Sequence, residues 1–257
     1  MACGLSRIDW AAPWLLPWRE RGERIAQQVA LGTSVAEACN EERLQTQHAQ
    51  HNGAMCPVQF VPQDELPDGM AYEQFIFEHQ QVPTRDGLHD FFNALCWLQF
   101  PLAKKQLNQL QAAAIRAQGI GASRGPVRDA MTVFDENACL FQVEDEIWHA
   151  LESRDWHAAF VTHRSRWSSA KAYIFGHAAL EKLVAPYKAI TAHMWRVPNA
   201  VPASELDAWL AMDLQAEKLA QKPFLPTPVL GIPGWCKDNE DPAFYRDAQV
   251  FRLPKKN

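Results

Sequence analysis

The segment TRDGLHDFFNALCW, residues 84–97, decides the fold class, because its apolar residues keep the spacing of a buried helix. Leu88, Phe91 and Leu95 recur at intervals of three to four residues and therefore share one helical face. Pro101 then begins a second helix, which is rich in Ala, Leu and Gln. The middle of the chain is therefore predicted to be helical and largely buried.

About eight helices are predicted along the whole chain, so the expected fold is α+β and predominantly α-helical. Two short β-prone runs, Met131–Phe134 and Ala138–Val143, flank a polar turn and predict one β-hairpin. Residues 223–257 contain several prolines, which predicts an extended C-terminal segment that wraps across the surface. The helices are predicted at residues 19–30, 33–51, 84–97, 102–118, 144–152, 156–167, 171–184 and 204–220, and residues 71–79 are predicted to form a short helix or strand.

Composition and charge limit the class of protein. With 257 residues, of which 47% are hydrophobic, the chain is expected to form a single domain whose first 55 residues add N-terminal helices to the main body. A net charge of -5 argues against general nucleic-acid binding, and no apolar run approaches the roughly 18 residues of a membrane span. Six cysteines without a C-x-x-C pair are typical of reduced thiols, which predicts a cytoplasmic protein.

The first candidate for chemistry is a polar stripe on the predicted central helix. Asp86, His89, Asp90 and Asn93 fall at i, i+3, i+4 and i+7 and so share one face. Asp, His and Asn are poorer helix formers than the residues of an ordinary solvated face. Either Thr84 or Asp86 caps the helix and Asp90 favours its dipole, or the stripe belongs to a metal or acid–base site.

The second candidate is the pair His177 and Glu181, four residues apart in a segment that is apolar nearly all round. A buried carboxylate needs a partner, so the pair forms either an internal hydrogen bond, an ion pair with Lys182 or Lys188, or two ligands of a metal site. His193 lies in a predicted extended segment among small residues. It is either a core histidine or a further ligand.

Two more sets of side chains complete the candidates. Asp135 and Glu136 are ordinary turn formers at the tip of the predicted hairpin, or they supply a ligand and a general base. Arg85, Arg124 and Arg128 either pair with surface acids or hold an anionic group through bidentate hydrogen bonds. No dinucleotide-binding, Walker, nucleophile-elbow or kinase motif occurs in the sequence.

Four segments together resemble a bacterial family known as domain of unknown function 3025. The resemblance spans about residues 57–252 and implies a bacterial, single-domain protein; the family has no established activity, so the resemblance brings no chemistry. The sequence departs from the family's pattern at Asp86, where Asn is expected, which leaves the role of Asp86 open. The segments are VPTRDGLHDFFN (residues 82–93), FDEN (134–137), FGH (175–177) with Glu181, and KAITAH (188–193).

The leading hypothesis is a metal-assisted hydrolase that acts on a small anionic substrate. One alternative is a non-catalytic binding or assembly protein, in which the same polar side chains form a buried structural network. Another is a binder of an anionic metabolite or nucleic-acid end through the arginines. The hypothesis takes a divalent metal held by His89, Asp90, His177, Glu181 and His193, catalysis by Asp135 and Glu136, and substrate binding by Arg85, Asn93, Arg124, Arg128 and Lys188.

Overall fold

The computed structural model describes residues 4–48, 55–118 and 125–254, and its fold is α+β and predominantly helical, as the sequence predicts. None of the helices in these ranges is long and apolar enough to cross a membrane. The α-helices of the described residues are α1 (Arg19–Ala30), α2 (Val35–His48), α3 (Tyr72–His79), α4 (Leu88–Gln99), α5 (Pro101–Gln118), α6 (Pro126–Asn137), α7 (Asp145–Glu152), α8 (His177–Lys182), α9 (Leu206–Asp213) and α10 (Ala216–Ala220).

The strands form two sheets. The first two strands pair in parallel, and the other four form a sheet of order β4-β3-β5-β6 in which β3 runs antiparallel to β4 and parallel to β5. Every residue of β3 is buried, as expected of a central strand. The strands are β1 (Gln59–Pro62), β2 (Gln81–Thr84), β3 (Ala138–Gln142), β4 (Lys171–Ile174), β5 (Thr191–Arg196) and β6 (Leu225–Pro228).

The core lies between α4, α6, α8 and the four-stranded sheet. Residues 90–98 of α4 are all buried, which confirms the buried central helix that the sequence predicts. Phe134 of α6 packs against both Phe175 and Trp195, with ring centroids 5.2 and 5.0 Å apart. The buried apolar cluster extends from Leu5 to Phe251, so both ends of the described chain pack onto the same core.

The predicted hairpin is wrong, because residues 126–137 form helix α6 instead of a strand and a turn. Gly125 precedes the helix and Pro126 occupies its first turn, where a proline needs no amide hydrogen bond. Ala130, Met131 and Phe134 then keep helical spacing and are buried. The acidic residues 135 and 136 therefore lie in the last turn of a helix and not at the tip of a hairpin.

Three predicted helices are interrupted. Residues 156–167 contain a π-helix, Ala158–Thr162, followed by a 3-10 helix that begins at Arg164. Residues 171–184 divide into β4 and α8, because residues 171–174 pair with β3 before the helix begins. Residues 204–220 divide into α9 and α10, with a break at Leu214 and Gln215. The extended segment predicted around His193 is confirmed, because β5 forms there. The strands that pair with β4 and β5 lie far away in the sequence, which a local apolar pattern does not reveal.

Capping and the C-terminal segment also differ from expectation. Ser34 and Glu37 form a capping box at the start of α2. Asp86, predicted as a cap of α4, instead accepts a hydrogen bond from the amide of Val35 in α2 at 2.9 Å. Residues 225–228 of the predicted surface wrap form the edge strand β6, in which Thr227 is fully buried.

Candidate functional site

A polar cavity of about 310 Å³ opens between α3, α4, α6 and α8. It contains most of the side chains that the sequence singled out on the central helix and on α6. They come together because α8 packs closely against α4 and also contacts α6. The cavity is lined by Gln63, Leu66, Tyr72, Glu73, Arg85, His89, Asp90, Asn93, Gln111, Thr132, Asp135, Glu136 and His177.

Gly176 fixes the position of α8 against α6. A side chain at this position would overlap the backbone of Glu136 and Asn137, so only glycine permits so close an approach. The amides of Phe175 and Gly176 both donate to the carbonyl of Ala138 at 2.9 Å, which holds the chain at that distance. The first residue of α8 is His177, which therefore lies next to the last turn of α6.

The two histidines of the cavity face each other. The Nε2 atoms of His89 and His177 are 3.1 Å apart, and their rings are nearly perpendicular, with an interplanar angle of 80°. On the far side of His89, Nδ1 lies 2.9 Å from Oε2 of Glu181. Glu181 thus pairs with His89 and not with His177. The predicted i, i+4 arrangement still places His177 and Glu181 on one side of the helix, where both contact His89.

His177 is almost completely buried, with 7% of its side chain exposed. Burial lowers the pKa of its imidazole to about 4, because the charged form loses its hydration. Its Nδ1 has no hydrogen-bond partner of normal geometry among the described residues, and Oδ2 of Asp135 lies 3.9 Å away. Because Nδ1 is enclosed next to Asp135, Nε2 is the nitrogen of this ring that remains for a ligand atom.

A closed hydrogen-bond network occupies the inner wall of the cavity. The ammonium of Lys104 donates to Asp135 at 2.5 Å and to Asn93 at 2.9 Å, and Asn93 donates to the hydroxyl of Tyr72 at 2.9 Å. Burial alone would raise the pKa of Asp135, but the attraction of Lys104 and His177 outweighs it, so the pKa is lowered. Asp135 is therefore an ionised structural partner and a poor proton acceptor.

Arg85 and Asp90 form a second closed pair at the rim. The guanidinium of Arg85 donates from Nε and Nη2 to the two carboxylate oxygens of Asp90, at 2.9 and 3.1 Å. The Arg85 amide also donates to Asp90 at 2.7 Å, so the carboxylate is fully engaged. The hydrogen bonds that Arg85 donates to Asp90 raise the pKa of Arg85. Neither residue is free to act as a metal ligand or anion receptor without breaking this pair.

Several predicted site residues lie elsewhere. His193 is in β5, where its ring packs edge-on against Phe224 at 5.3 Å, and Lys188 pairs with Asp247 at 3.0 Å. Arg128 lies in α6 but does not line the cavity, and Arg124 is outside the described residues. Asp86 borders a different and larger cavity of about 950 Å³ next to α1 and α2, which contains neither His89 nor His177.

Sequence reasoning missed Lys104, Tyr72 and Glu73. Lys104 belongs to the second predicted helix, in which no functional residue was predicted. Its spacing from Pro101 and Leu107 nevertheless puts it on the buried face of α5. A lysine at an apolar position is the signal that would have revealed it, because a buried ammonium needs a carboxylate partner. Tyr72 and Glu73 come from α3 and carry no local signal.

Chemically, the site separates into an inner half whose polar groups satisfy one another and an outer half that remains open. The open half holds the two histidines, Glu136 and Glu73. Within the described ranges, no group of three or more His, Cys, Asp or Glu side chains is arranged to hold a metal ion. The two Nε2 atoms alone are placed to share one proton or one ion.

The fold and cavity define a predominantly helical α+β protein with an internal histidine–carboxylate site. A family model described as "Protein of unknown function (DUF3025)" matches residues 58–255, and the chain belongs to that family. The match confirms the resemblance to this family that the sequence motifs indicate. No curated protein matches the chain, and no solved structure does so either.

Proposed function

We propose that this chain is a metal-assisted hydrolase whose ion lies between Nε2 of His89 and Nε2 of His177. The 3.1 Å separation of these atoms carries the proposal. Two imidazoles bound to one tetrahedral zinc, each at about 2.0–2.1 Å, have their nitrogens roughly 3.3 Å apart. The observed pair therefore needs only a small adjustment to accept an ion.

The outer nitrogens of both rings support the same proposal. Nδ1 of His89 faces Glu181 at 2.9 Å and Nδ1 of His177 faces Asp135 at 3.9 Å. Metal-bound histidines usually donate their second N–H to a carboxylate, which fixes the ring and strengthens the ligand. Both Nε2 atoms would then be the free acceptors that a metal ion requires.

The proposed reaction uses one water molecule. An ion held by His89 and His177 would supply the acidity that makes water a nucleophile at neutral pH. Glu136 would accept the proton of that water as it adds to the electrophilic atom of the substrate, and would then return the proton to the leaving group. Glu136 suits this role better than Asp135, because Lys104 does not engage it and it lines the open half of the cavity.

Two protein ligands are one fewer than the three usual at catalytic zinc, so we expect weak and exchangeable binding. The test is a titration of tag-free, chelator-treated protein with Zn²⁺ and with Co²⁺, followed by calorimetry and by the visible absorbance of cobalt. We expect one ion per chain, and a loss of affinity of at least tenfold in His89→Asn and in His177→Asn. His149→Asn is the control, because that exposed histidine of α7 does not line the cavity.

A competing function is a non-catalytic assembly protein in which the polar cluster only fixes the packing. The closed network around Lys104 favours this reading for the inner half of the site. Absence of metal binding in a folded protein, together with unaltered titrations in the two histidine variants, would support it and refute the hydrolase. The reading based on an arginine cluster receives less support, because Arg85 is engaged by Asp90.

We also propose that the protein works in the bacterial cytoplasm. Among the described residues five cysteines carry free thiols, and four of them are buried. Buried free thiols are typical of proteins in a reducing compartment. Fractionation of the native host followed by immunoblotting tests this proposal, and a periplasmic location would contradict it.

A further inference from the structure

We infer that the hydroxyl group of Tyr72 donates its hydrogen to the reacting oxygen of the substrate, and that this oxygen belongs to a carbonyl group, as in an ester or an amide. The inference deepens the proposed function, on which it rests for the position of the reaction at the two histidines. It adds a catalytic residue to the site, and it replaces the anionic substrate expected from the sequence with an uncharged acyl group.

The chemistry of the side chains fixes the direction of each hydrogen bond between Lys104 and Tyr72. The ammonium of Lys104 can only donate, so the atom of Asn93 that it contacts at 2.9 Å must be the amide oxygen. The amide nitrogen of Asn93 therefore faces Tyr72 and donates to the hydroxyl oxygen at 2.9 Å. Tyr72 thus accepts this hydrogen bond, and its own hydrogen has to point elsewhere.

The hydrogen of the Tyr72 hydroxyl has no acceptor in the part of the chain that the structure describes. Tyr72 lines both the main cavity and a small extension of about 30 Å³ that adjoins it. A hydroxyl hydrogen that leaves water without gaining an acceptor costs free energy, so the acceptor has to come from whatever fills the cavity. The network of the inner wall is therefore closed except at this last donor, which is open to a ligand.

The Tyr72 hydroxyl keeps its hydrogen at neutral pH. Burial and the nearby carboxylates, chiefly that of Asp90, raise the pKa of Tyr72 above its usual value. An ionised tyrosine could only accept hydrogen bonds, so the raised pKa preserves the donor. The row of donors that begins at the charged ammonium of Lys104 also polarises each following hydrogen bond, which strengthens the last one.

The hydroxyl of Tyr72 lies close to the histidine pair. His89 and Asn93 are four residues apart in α4, so they are neighbours on one helical face, with Cβ atoms roughly 5–6 Å apart. The hydroxyl is bonded to Asn93, and both histidines line the same cavity as Tyr72. A small acyl group held at the histidines is therefore within reach of this donor.

The proposed hydrolysis creates a negative charge where such a donor is needed. The oxygen of water forms a bond to the carbonyl carbon, and one electron pair of the C=O bond moves to its oxygen. A hydrogen bond from Tyr72 stabilises this oxyanion more than the uncharged carbonyl, so it lowers the barrier. The electron pair then restores the C=O bond, the bond to the leaving group breaks, and the leaving group takes the proton that Glu136 accepted from the water.

A phosphate ester would fit the cavity less well than an acyl group. Its charge needs cationic partners, but Arg85 and Lys104 are each already engaged by a carboxylate. An anionic substrate would have to displace one of these ion pairs. An uncharged carbonyl group needs only a neutral donor, which Tyr72 supplies.

The first test needs no metal ion. Chelator-treated protein that carries carbon-13 at Cζ of its tyrosines is titrated with N,N-dimethylacetamide, whose carbonyl oxygen accepts hydrogen bonds and which donates none. The chain has four tyrosines, so comparison with Tyr72→Phe assigns the resonance. We expect a saturable shift of the Tyr72 signal in the wild type and none in Asn93→Asp, because a carboxylate at position 93 would accept the hydroxyl hydrogen itself.

The second test measures hydrolysis of 4-nitrophenyl acetate by the zinc-loaded protein, with 4-nitrophenyl phosphate as the charged alternative. Tyr72→Phe should lower kcat about a hundredfold, the usual effect of removing one donor to an oxyanion. KM and zinc affinity should stay within a few fold of the wild type. Tyr245→Phe is the matched control, because the hydroxyl of this buried tyrosine also forms a hydrogen bond, to Gly231 at 2.9 Å, but does not line the cavity.

The inference would be overturned by an unchanged Tyr72 signal, by an equal shift in a folded Asn93→Asp variant, or by wild-type kcat in a folded Tyr72→Phe variant. No hydrolysis of the acetate, or faster hydrolysis of the phosphate, overturns the acyl class. Zinc binding without a response of Tyr72 overturns this inference alone. A response of Tyr72 in a protein that binds no zinc overturns the proposed metal function and leaves the hydroxyl as a donor to carbonyl ligands.

Discussion

Replacing Lys104 with Met should destabilise the protein far more than a surface lysine would. Only 4% of the Lys104 side chain and 18% of the Asp135 side chain are exposed, and the two groups are 2.5 Å apart. Breaking a buried ion pair by removing one partner costs about 3–5 kcal/mol, because the other charge is left uncompensated. Asp135 borders a cavity that admits water, so we expect the lower end, about 3 kcal/mol.

For a chain of this length, that loss corresponds to a fall in the melting temperature of roughly 6–12 °C. Urea denaturation at neutral pH gives the free energy of unfolding directly. Lys105→Met is the control, because Lys105 is exposed on the same helix and should change stability by less than about 0.5 kcal/mol. A double-mutant cycle with Asp135→Asn should give a coupling energy of about 2 kcal/mol.

The reasoning would be refuted if Lys104→Met lost less than about 1 kcal/mol, the range of exposed ion pairs. A coupling energy near zero would also refute it, because it would mean that Lys104 stabilises the fold through its methylene groups alone. In that event the inner half of the cavity would be open to solvent, and its polar residues would again be candidates for catalysis.

Three further predictions concern other parts of the structure. Because the pKa of His177 is lowered to about 4 from 6.5, the free energy of unfolding of the metal-free protein should fall as the pH is lowered from 6.5 to 4. Urea denaturation at a series of pH values should show this dependence in the wild type and not in His177→Asn. The same pH dependence in both proteins would contradict the lowered pKa of His177. Gly176→Ala would force a side chain into the backbone of Asn137, so we expect the free energy of unfolding to fall by about 2 kcal/mol and zinc binding to weaken. Wild-type stability in urea denaturation and wild-type affinity in the zinc titration would mean that the close approach is unimportant. Lys188 hydrogen-bonds Asp247 and lowers its pKa, so Lys188→Met should raise that pKa in a carbon-detected NMR titration, whereas an identical titration would show that the pair is not formed in solution.

Much of the site was predictable from the sequence wherever its residues belong to one helix. The spacing of His89, Asp90 and Asn93 placed them on one face of α4, and all three line the cavity. The same argument placed His177 and Glu181 together, and both contact His89. Helical periodicity is a local property, so the residues that share one helical face can be predicted without knowing how distant elements pack.

The rest depended on which distant elements meet, which local patterns do not determine. The wrong hairpin at residues 131–143 arose because Thr132 and Val133 are β-branched and follow each other, which resembles a strand when the helix start at Pro126 is overlooked. The small neighbours of His193 left it as either a core histidine or a ligand, and only the register of β5 places it against Phe224. The partner of Asp86 likewise lies in α2, far away in sequence.

The division of the polar cluster into two halves follows from how each residue is held. Lys104 neutralises Asp135 and engages Asn93, so these groups stabilise the fold and make no open position. His177 is about as buried as Lys104, but its Nε2 faces Nε2 of His89 at 3.1 Å instead of a charged partner. A protein that needed only a rigid core would gain stability by filling that position with an apolar side chain. The pair of histidines is therefore better explained by binding than by packing, and it is the site that the metal experiments test.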